Sequence, residues 1–169
     1  MTAAVFTSKS LGALTGLVIE RLRVSDDVAA AKFGTGSPID DPAREQQVLD
    51  HVRNQAGALG LDPEAVTAFF RDQITASKVV QKGLFARWTA YPHEAPTTRP
   101  DLARIRARLD RLTTALLRQL EATVDVLTES APGPVPLAPA DGSAVVPDRL
   151  DALHRRALGT ALHSVVRTG

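Results

Sequence analysis

The chain has no cysteine, which removes disulfides, thiol nucleophiles and thiolate metal sites together and is compatible with either redox compartment. It has no excess of either charge. Lys and Arg number 20 against 19 Asp and Glu, a net +1, so no global field gathers nucleic acid or an anionic membrane, and any anion binding has to be local. No stretch approaches the roughly 20 apolar residues of a membrane span, and Met1 to Lys9 lacks the basic start and unbroken apolar run of a signal peptide. The expectation is a soluble chain, cytoplasmic as it stands, and exported or periplasmic if a signal was removed before Met1. The four histidines, His51, His93, His154 and His163, include no pair at metal-ligand spacing, and His93 with Glu94 lacks the second histidine of a zinc-protease helix. A glycine-rich phosphate loop, a nucleophile elbow and a kinase signature are missing too, so covalent and nucleotide chemistry have no support. Neither a metal nor a cofactor is expected.

What the chain does have is length and helical periodicity. At 169 residues and 44% hydrophobic content it can build one domain with a proper core, and the expectation is a single domain over residues 1–169. A first helix is predicted from about Ser8 to Phe33, ended by Gly34, Gly36 and Pro38. Asp41 followed by Pro42 is a helix start, with the carboxylate free to cap and proline in the first turn, and this second helix runs to about Leu59 before Gly60. Asp62 and Pro63 repeat the device and open a long helix to about Ala90. Its inner stripe is Val66, Phe70, Gln73, Ser77, Gln81, Leu84 and Trp88. After a proline-marked crossing from Tyr91 to Pro100, Asp101 opens a fourth helix with Leu102, Ile105, Leu109, Leu112, Leu116, Leu120 and Leu127 on its apolar side, ending near Ser130. Residues 131–146 are rich in proline and glycine and read as a connector. Pro147 is expected to start a last helix to about Arg167, burying Leu150, Leu153, Leu158, Leu162 and Val165. No strand pattern appears, so the fold class is all-α: a bundle of long helices with an extra C-terminal helical half.

The first helix carries the strongest functional signal. Inward positions recur through Leu11, Leu14, Val18, Arg21, Ser25, Val28 and Lys32, which places two cations on an apolar face. Eleven residues apart, Arg21 and Lys32 point in nearly the same direction about 16 Å along the axis. Cations aimed at a core need an anion there, because an unpaired buried charge is costly, and a small anionic ligand is one natural partner.

The runs "ERLRVSDDVAAAK", "SPIDDPARE" and "LDPEAVTAFFRDQITASKVVQKGLFARW" resemble the all-helical class of chorismate mutase, in particular its exported, single-chain gamma subclass. The likeness covers essentially the whole chain and is tightest from Glu20 to Trp88. Charged positions agree in identity and spacing: Arg21, Lys32, Arg44 with Glu45 beside it, then Ser77 and Gln81. In that subclass an arginine from a later helix replaces one that dimeric relatives donate from a partner subunit, and the matching position is Arg106.

The resemblance implies a [3,3] Claisen rearrangement of chorismate to prephenate, on the shikimate route to aromatic amino acids. No nucleophile is needed. The enzyme holds a flexible dianion in its compact shape and stabilises negative charge growing on the ether oxygen, a task for fixed donors in a water-poor site. By the same resemblance, Arg21 and Arg106 grip the two carboxylates with Ser77 assisting, while Lys32 and Gln81 donate to the ether oxygen. Glu45 accepts from the ring hydroxyl, and Arg44 with Asp41 shapes that end. A homodimer with a complete site in each subunit is implied, with no nucleic-acid or membrane partner. Two other readings stay open: a related pericyclic enzyme acting on isochorismate or aminodeoxychorismate, and a non-catalytic helical domain that kept the fold.

Each residue also has a purely structural reading. Arg21 and Lys32 can snorkel from the edge of a core. Ser77 and Gln81, one turn apart, can form a satisfied polar pair. Glu45 suits the first turn of a helix by its dipole, and Asp41 suits a cap. Arg106 is one of several arginines in "RPDLARIRARLDR" that resemble a solvated face, and its choice over Arg104 or Arg108 rests on the family alignment. Val48 stands where some relatives carry a polar, substrate-reaching residue, and Gln81 stands where some have glutamate.

Overall fold

The computed structural model of the protein describes residues 8–129 and 150–166. The elements are α1 (Ser8–Lys32), α2 (Pro42–Ala58), α3 (Pro63–Ala90), a single 3-10 turn at Pro92–Glu94, α4 (Leu102–Glu129), α5 (Ala152–Ala161) and α6 (His163–Val166). Among the described residues there is no strand, so the all-α expectation holds.

The helix starts follow from their capping chemistry. Asp41 accepts a hydrogen bond from the Arg44 amide at 3.1 Å and Asp62 accepts from the Glu64 amide at 3.0 Å, each with proline in the first turn. α1 stops where Gly34 and Gly36 take φ values of 76° and 78°, a left-handed conformation that glycine adopts without penalty. The chain can then fold back through Pro38 to begin α2.

α1 is the central rod, packed against α3 and α4 and touching α5, while α2 lies on α3. The main core joins Leu14, Val18 and Leu22 of α1 to Phe70, Ala76 and Val80 of α3, with Val52 from α2, Leu116 from α4 and Ala157 from α5. A smaller cluster of Val24, Val28, Ile105 and Leu112 ties α1 to α4. Each large apolar side chain so buried contributes about 1.5–3 kcal/mol, enough in sum to tolerate polar groups on the same faces. The predicted stripes are recovered. Leu14, Val18, Arg21, Ser25 and Val28 are buried on α1, and Val66, Phe70, Gln73 and Gln81 on α3, with Lys32, Ser77, Leu84 and Trp88 half-buried. The side chains of Leu11 and Leu127, the connector at 131–146 and the expected helix start at Pro147 lie outside the described residues.

The last helix differs from its expectation of one rod from Pro147 to Arg167. Leu150 is buried but precedes the helix, which starts at Ala152 with Asp151 as its cap, accepting from the His154 amide at 2.8 Å. It breaks at Leu162 because α3 supplies partners for both sides of the break. Gln73 Nε2 donates to the Ala161 carbonyl at 2.8 Å, and Asp72 accepts from the Ser164 amide at 2.9 Å. α5 also comes close to α3 at Gly83, where an added Cβ would fall 2.5 Å from a Leu153 methyl carbon.

Candidate active site

The polar positions of the α1 and α3 stripes face each other across the core. Arg21 is 8% exposed, and its Nη1 donates to the Gln73 carbonyl at 3.1 Å. Its Nε is buried without a partner, and among the described residues no carboxylate pairs with it. Burial alone pushes its pKa down to about 10. One turn on, the Ser25 hydroxyl lies 2.8 Å from the Ser77 hydroxyl, which also accepts from Gln81 Nε2 at 3.0 Å. Gln81 is 5% exposed and its Oε1 is a second buried atom with no partner. Orphaned buried polar atoms are rare in folded chains, and among the described residues two of the three lie on this interface between α1 and α3.

Lys32 ends α1, where a cation also suits the helix dipole, and it is half-buried rather than fully buried as its face predicted. Its Nζ donates to the Pro38 carbonyl at 3.1 Å. Burial holds its pKa below the usual lysine value, with the charges of Arg106 and Arg44 adding to the shift and those of Asp41 and Glu45 opposing it. Lys32 therefore feels the charges of four other expected site residues at the junction of the α1 end, the α2 start and α4. Arg106 and Arg44 are exposed, and neither has an ion pair among the described residues. The neighbouring arginines of α4 are engaged elsewhere: Arg104 lies 3.9 Å from Asp101, and Arg108 lies 3.6 Å from Asp27 and 3.9 Å from Glu20. Of these three arginines, Arg106 is the one without an ion pair among the described residues.

Asp41 is the cap of α2, as its structural reading had it. Glu45 is paired at 2.6 Å with Lys78, a residue the sequence reading passed over, and Lys78 also reaches Asp40 at 3.2 Å. Lys82 holds the other oxygen of Asp40 at 3.1 Å. A signal for these was present in "SKVVQK", where a lysine follows each of the two polar stripe residues, Ser77 and Gln81. Among the described residues no cluster of His, Asp or Glu is arranged to hold a metal ion, and no helix is long and apolar enough to cross a membrane. The chemistry on offer is that of fixed cations and amides around a small anion.

Residues 13–82 match the family model described as chorismate mutase type II. The secreted chorismate mutase of Mycolicibacterium smegmatis is 36% identical over 154 residues, covering 91% of this chain and 84% of that protein. Among solved structures, the chorismate mutase from Burkholderia phymatum superposes with a TM-score of 0.77 at 34% identity, covering 94% of this chain and 96% of that one. The chorismate mutase from Burkholderia thailandensis gives 0.75 at 38%, covering 92% and 98%.

Proposed function

This chain belongs to the type II chorismate mutases and catalyses the rearrangement of chorismate to prephenate, and from that premise we propose how its residues divide the work. Arg21 and Arg106 bind the two carboxylates of the substrate, each guanidinium matching a planar acid with a planar fork. Ser77 assists at one carboxylate, and Lys32 and Gln81 donate to the ether oxygen as charge accumulates there. Glu45 accepts from the ring hydroxyl, with Arg44 and the capped start of α2 at Asp41 closing that end.

The observation that carries this division is Arg21, a buried guanidinium with no carboxylate partner among the described residues, on the same α1–α3 interface as a Gln81 oxygen with no partner. The protein keeps a cation out of water without neutralising it, which is stabilising only once an anion arrives. Gln81 Nε2 carries two hydrogens, one on Ser77 and a second to offer the ether oxygen, while the Ser77 hydroxyl, accepting from Gln81 and Ser25, keeps its own proton for the carboxylate. Lys32 keeps one N–H on Pro38 and has two left to offer.

The rearrangement is unimolecular, so binding the extended dianion in its folded shape and shielding it from water do most of the work. The test is the purified protein with chorismate: loss of substrate ultraviolet absorbance with prephenate formed, confirmed by acid conversion to phenylpyruvate. Release of pyruvate instead would assign the chain to a lyase reaction on a related substrate. We further propose export, by analogy with the relative named as secreted, and assembly as a homodimer with a complete site in each subunit. Cell fractionation and light scattering test these separately.

A further inference from the structure

We propose that Lys78 is a positioning residue for the rearrangement, holding Glu45 and the α1–α2 turn in register with α3 without itself touching substrate. The inference rests on the reading of Glu45 as the acceptor for the ring hydroxyl. Lys78 follows Ser77 directly on α3, and its ammonium lies 2.6 Å from Glu45 Oε1 and 3.2 Å from Asp40 Oδ1. Lys78 and Glu45 have side chains 25% and 24% exposed, against 58% and 55% for the neighbouring Lys82 and Asp40. The Lys78–Glu45 contact is thus three-quarters shielded from water, where an ion pair holds its geometry better than on an open surface.

Two consequences follow for the site. With Oε1 committed to Lys78, Glu45 has Oε2 left to accept from the substrate, and its side chain is fixed in one rotamer by the contact. Through Asp40, Lys78 also anchors the turn that contains Pro38, whose carbonyl receives Lys32 Nζ at 3.1 Å. That turn passes through two left-handed glycines and has no helix of its own; the Thr35 amide bonds the Lys32 carbonyl at 3.0 Å at its start, and side-chain contacts such as Lys78 to Asp40 hold its far end. One ammonium thereby sets two groups assigned to opposite tasks, Glu45 at the hydroxyl and Lys32 at the ether oxygen. It also balances two of the three carboxylates at the start of α2, Asp40 and Glu45. Hydrogen bonding to Glu45 first, and to Asp40 after it, holds the Lys78 pKa above the usual lysine value against the opposing effect of burial.

A kinetic double-mutant cycle on the full chain tests the proposal, using Lys78→Met, Lys78→Arg, Glu45→Gln and the double variant K78M/E45Q. K78M is expected to lower kcat/KM by about tenfold to a hundredfold, the cost of a small misplacement of reacting groups. K78R should recover part of the loss, and K78M should add less than about twofold in the E45Q background. Thermal unfolding should move little, because a partly exposed ion pair contributes little to stability. If K78M folds poorly, Lys78→Gln completes the same cycle. Multiplicative effects of K78M and E45Q, or a K78M enzyme within about twofold of the parent, overturn the proposal. A damaging E45Q with a silent K78M removes only the role of Lys78, whereas a silent E45Q removes the reading of Glu45 and this inference with it.

Discussion

Arg21 and His154 are buried to the same 8% exposure, one on α1 and the other on α5 facing it, yet their charges are met in opposite ways. His154 lies between two carboxylates, Nε2 at 2.6 Å from Asp26 and Nδ1 at 2.6 Å from Asp151. Both ring nitrogens can donate to these carboxylates when the ring is protonated, so the arrangement favours the imidazolium. Burial works against its proton, but Asp26 and Asp151 outweigh burial and hold its pKa above the usual histidine value. Arg21 has only a backbone carbonyl and an orphaned Nε, and its pKa falls to about 10. A buried cation whose donors are all used ties two helices together, whereas one left open is stored binding capacity for an anion. The C-terminal segment is thus fastened by a finished ion cluster, and the site between α1 and α3 is left electrostatically incomplete.

The largest test of this contrast is on the open side. Arg21→Ala and Lys32→Ala should each cut turnover by on the order of a hundredfold or more, as loss of a preorganised charged donor does elsewhere. Arg21→Met should at the same time leave the unfolding midpoint unchanged or higher, because it replaces an uncompensated buried charge with apolar volume. A large loss of stability in that variant would show that Arg21 is structural and the contrast mistaken. Next in size, Gln81→Glu should lose about tenfold to a hundredfold of activity at neutral pH, where a carboxylate cannot donate, and regain activity in acid. A pH–rate profile of that variant decides it.

On the closed side, His154→Ala should cost about 1–2 kcal/mol of stability, measured by denaturant unfolding, with kcat/KM close to the parent. The wild-type stability should depend on pH in a definite direction. The His154 pKa is higher folded than its unfolded value near 6.5, so its contribution is fully present below that value and is lost as pH rises through the folded pKa. Unfolding scans on either side of that window should show the loss, and H154A should abolish it. The smallest effect is expected for wild-type turnover, flat between about pH 5 and 8 because Gln81 is a neutral donor. Its alkaline limit should come from Lys32, whose pKa burial holds below the ordinary lysine value.

Much of this was legible in the chain because its punctuation is local. Asp41 with Pro42 and Asp62 with Pro63 mark helix starts through contacts within three residues, and α2 and α1 end within one residue of where their glycines predict. The burial of Arg21, Ser25, Gln73 and Gln81 was likewise readable from period alone, since an apolar stripe carries its polar members inward with it. Lys78 was not readable in this way. On α3 it lies beside the stripe rather than on it, and its value depends on Asp40 and Glu45 arriving from across the α1–α2 turn. His154 was passed over because a lone histidine has no periodic meaning, and its partner Asp26 is 128 positions away. The break between α5 and α6 escaped for the same reason, being set by Asp72 and Gln73 of a distant helix.

The residue order by itself determined an all-helical chain, the start of each helix cut by an Asp-Pro pair, and the faces on which cations and amides would travel inward, since all of these depend on neighbours within a turn or two. Tertiary structure alone decided which of those groups would be neutralised and which left open. That outcome depends on what another helix brings within reach: the Asp26 carboxylate for His154, and for Arg21 a backbone carbonyl and, among the described residues, no carboxylate.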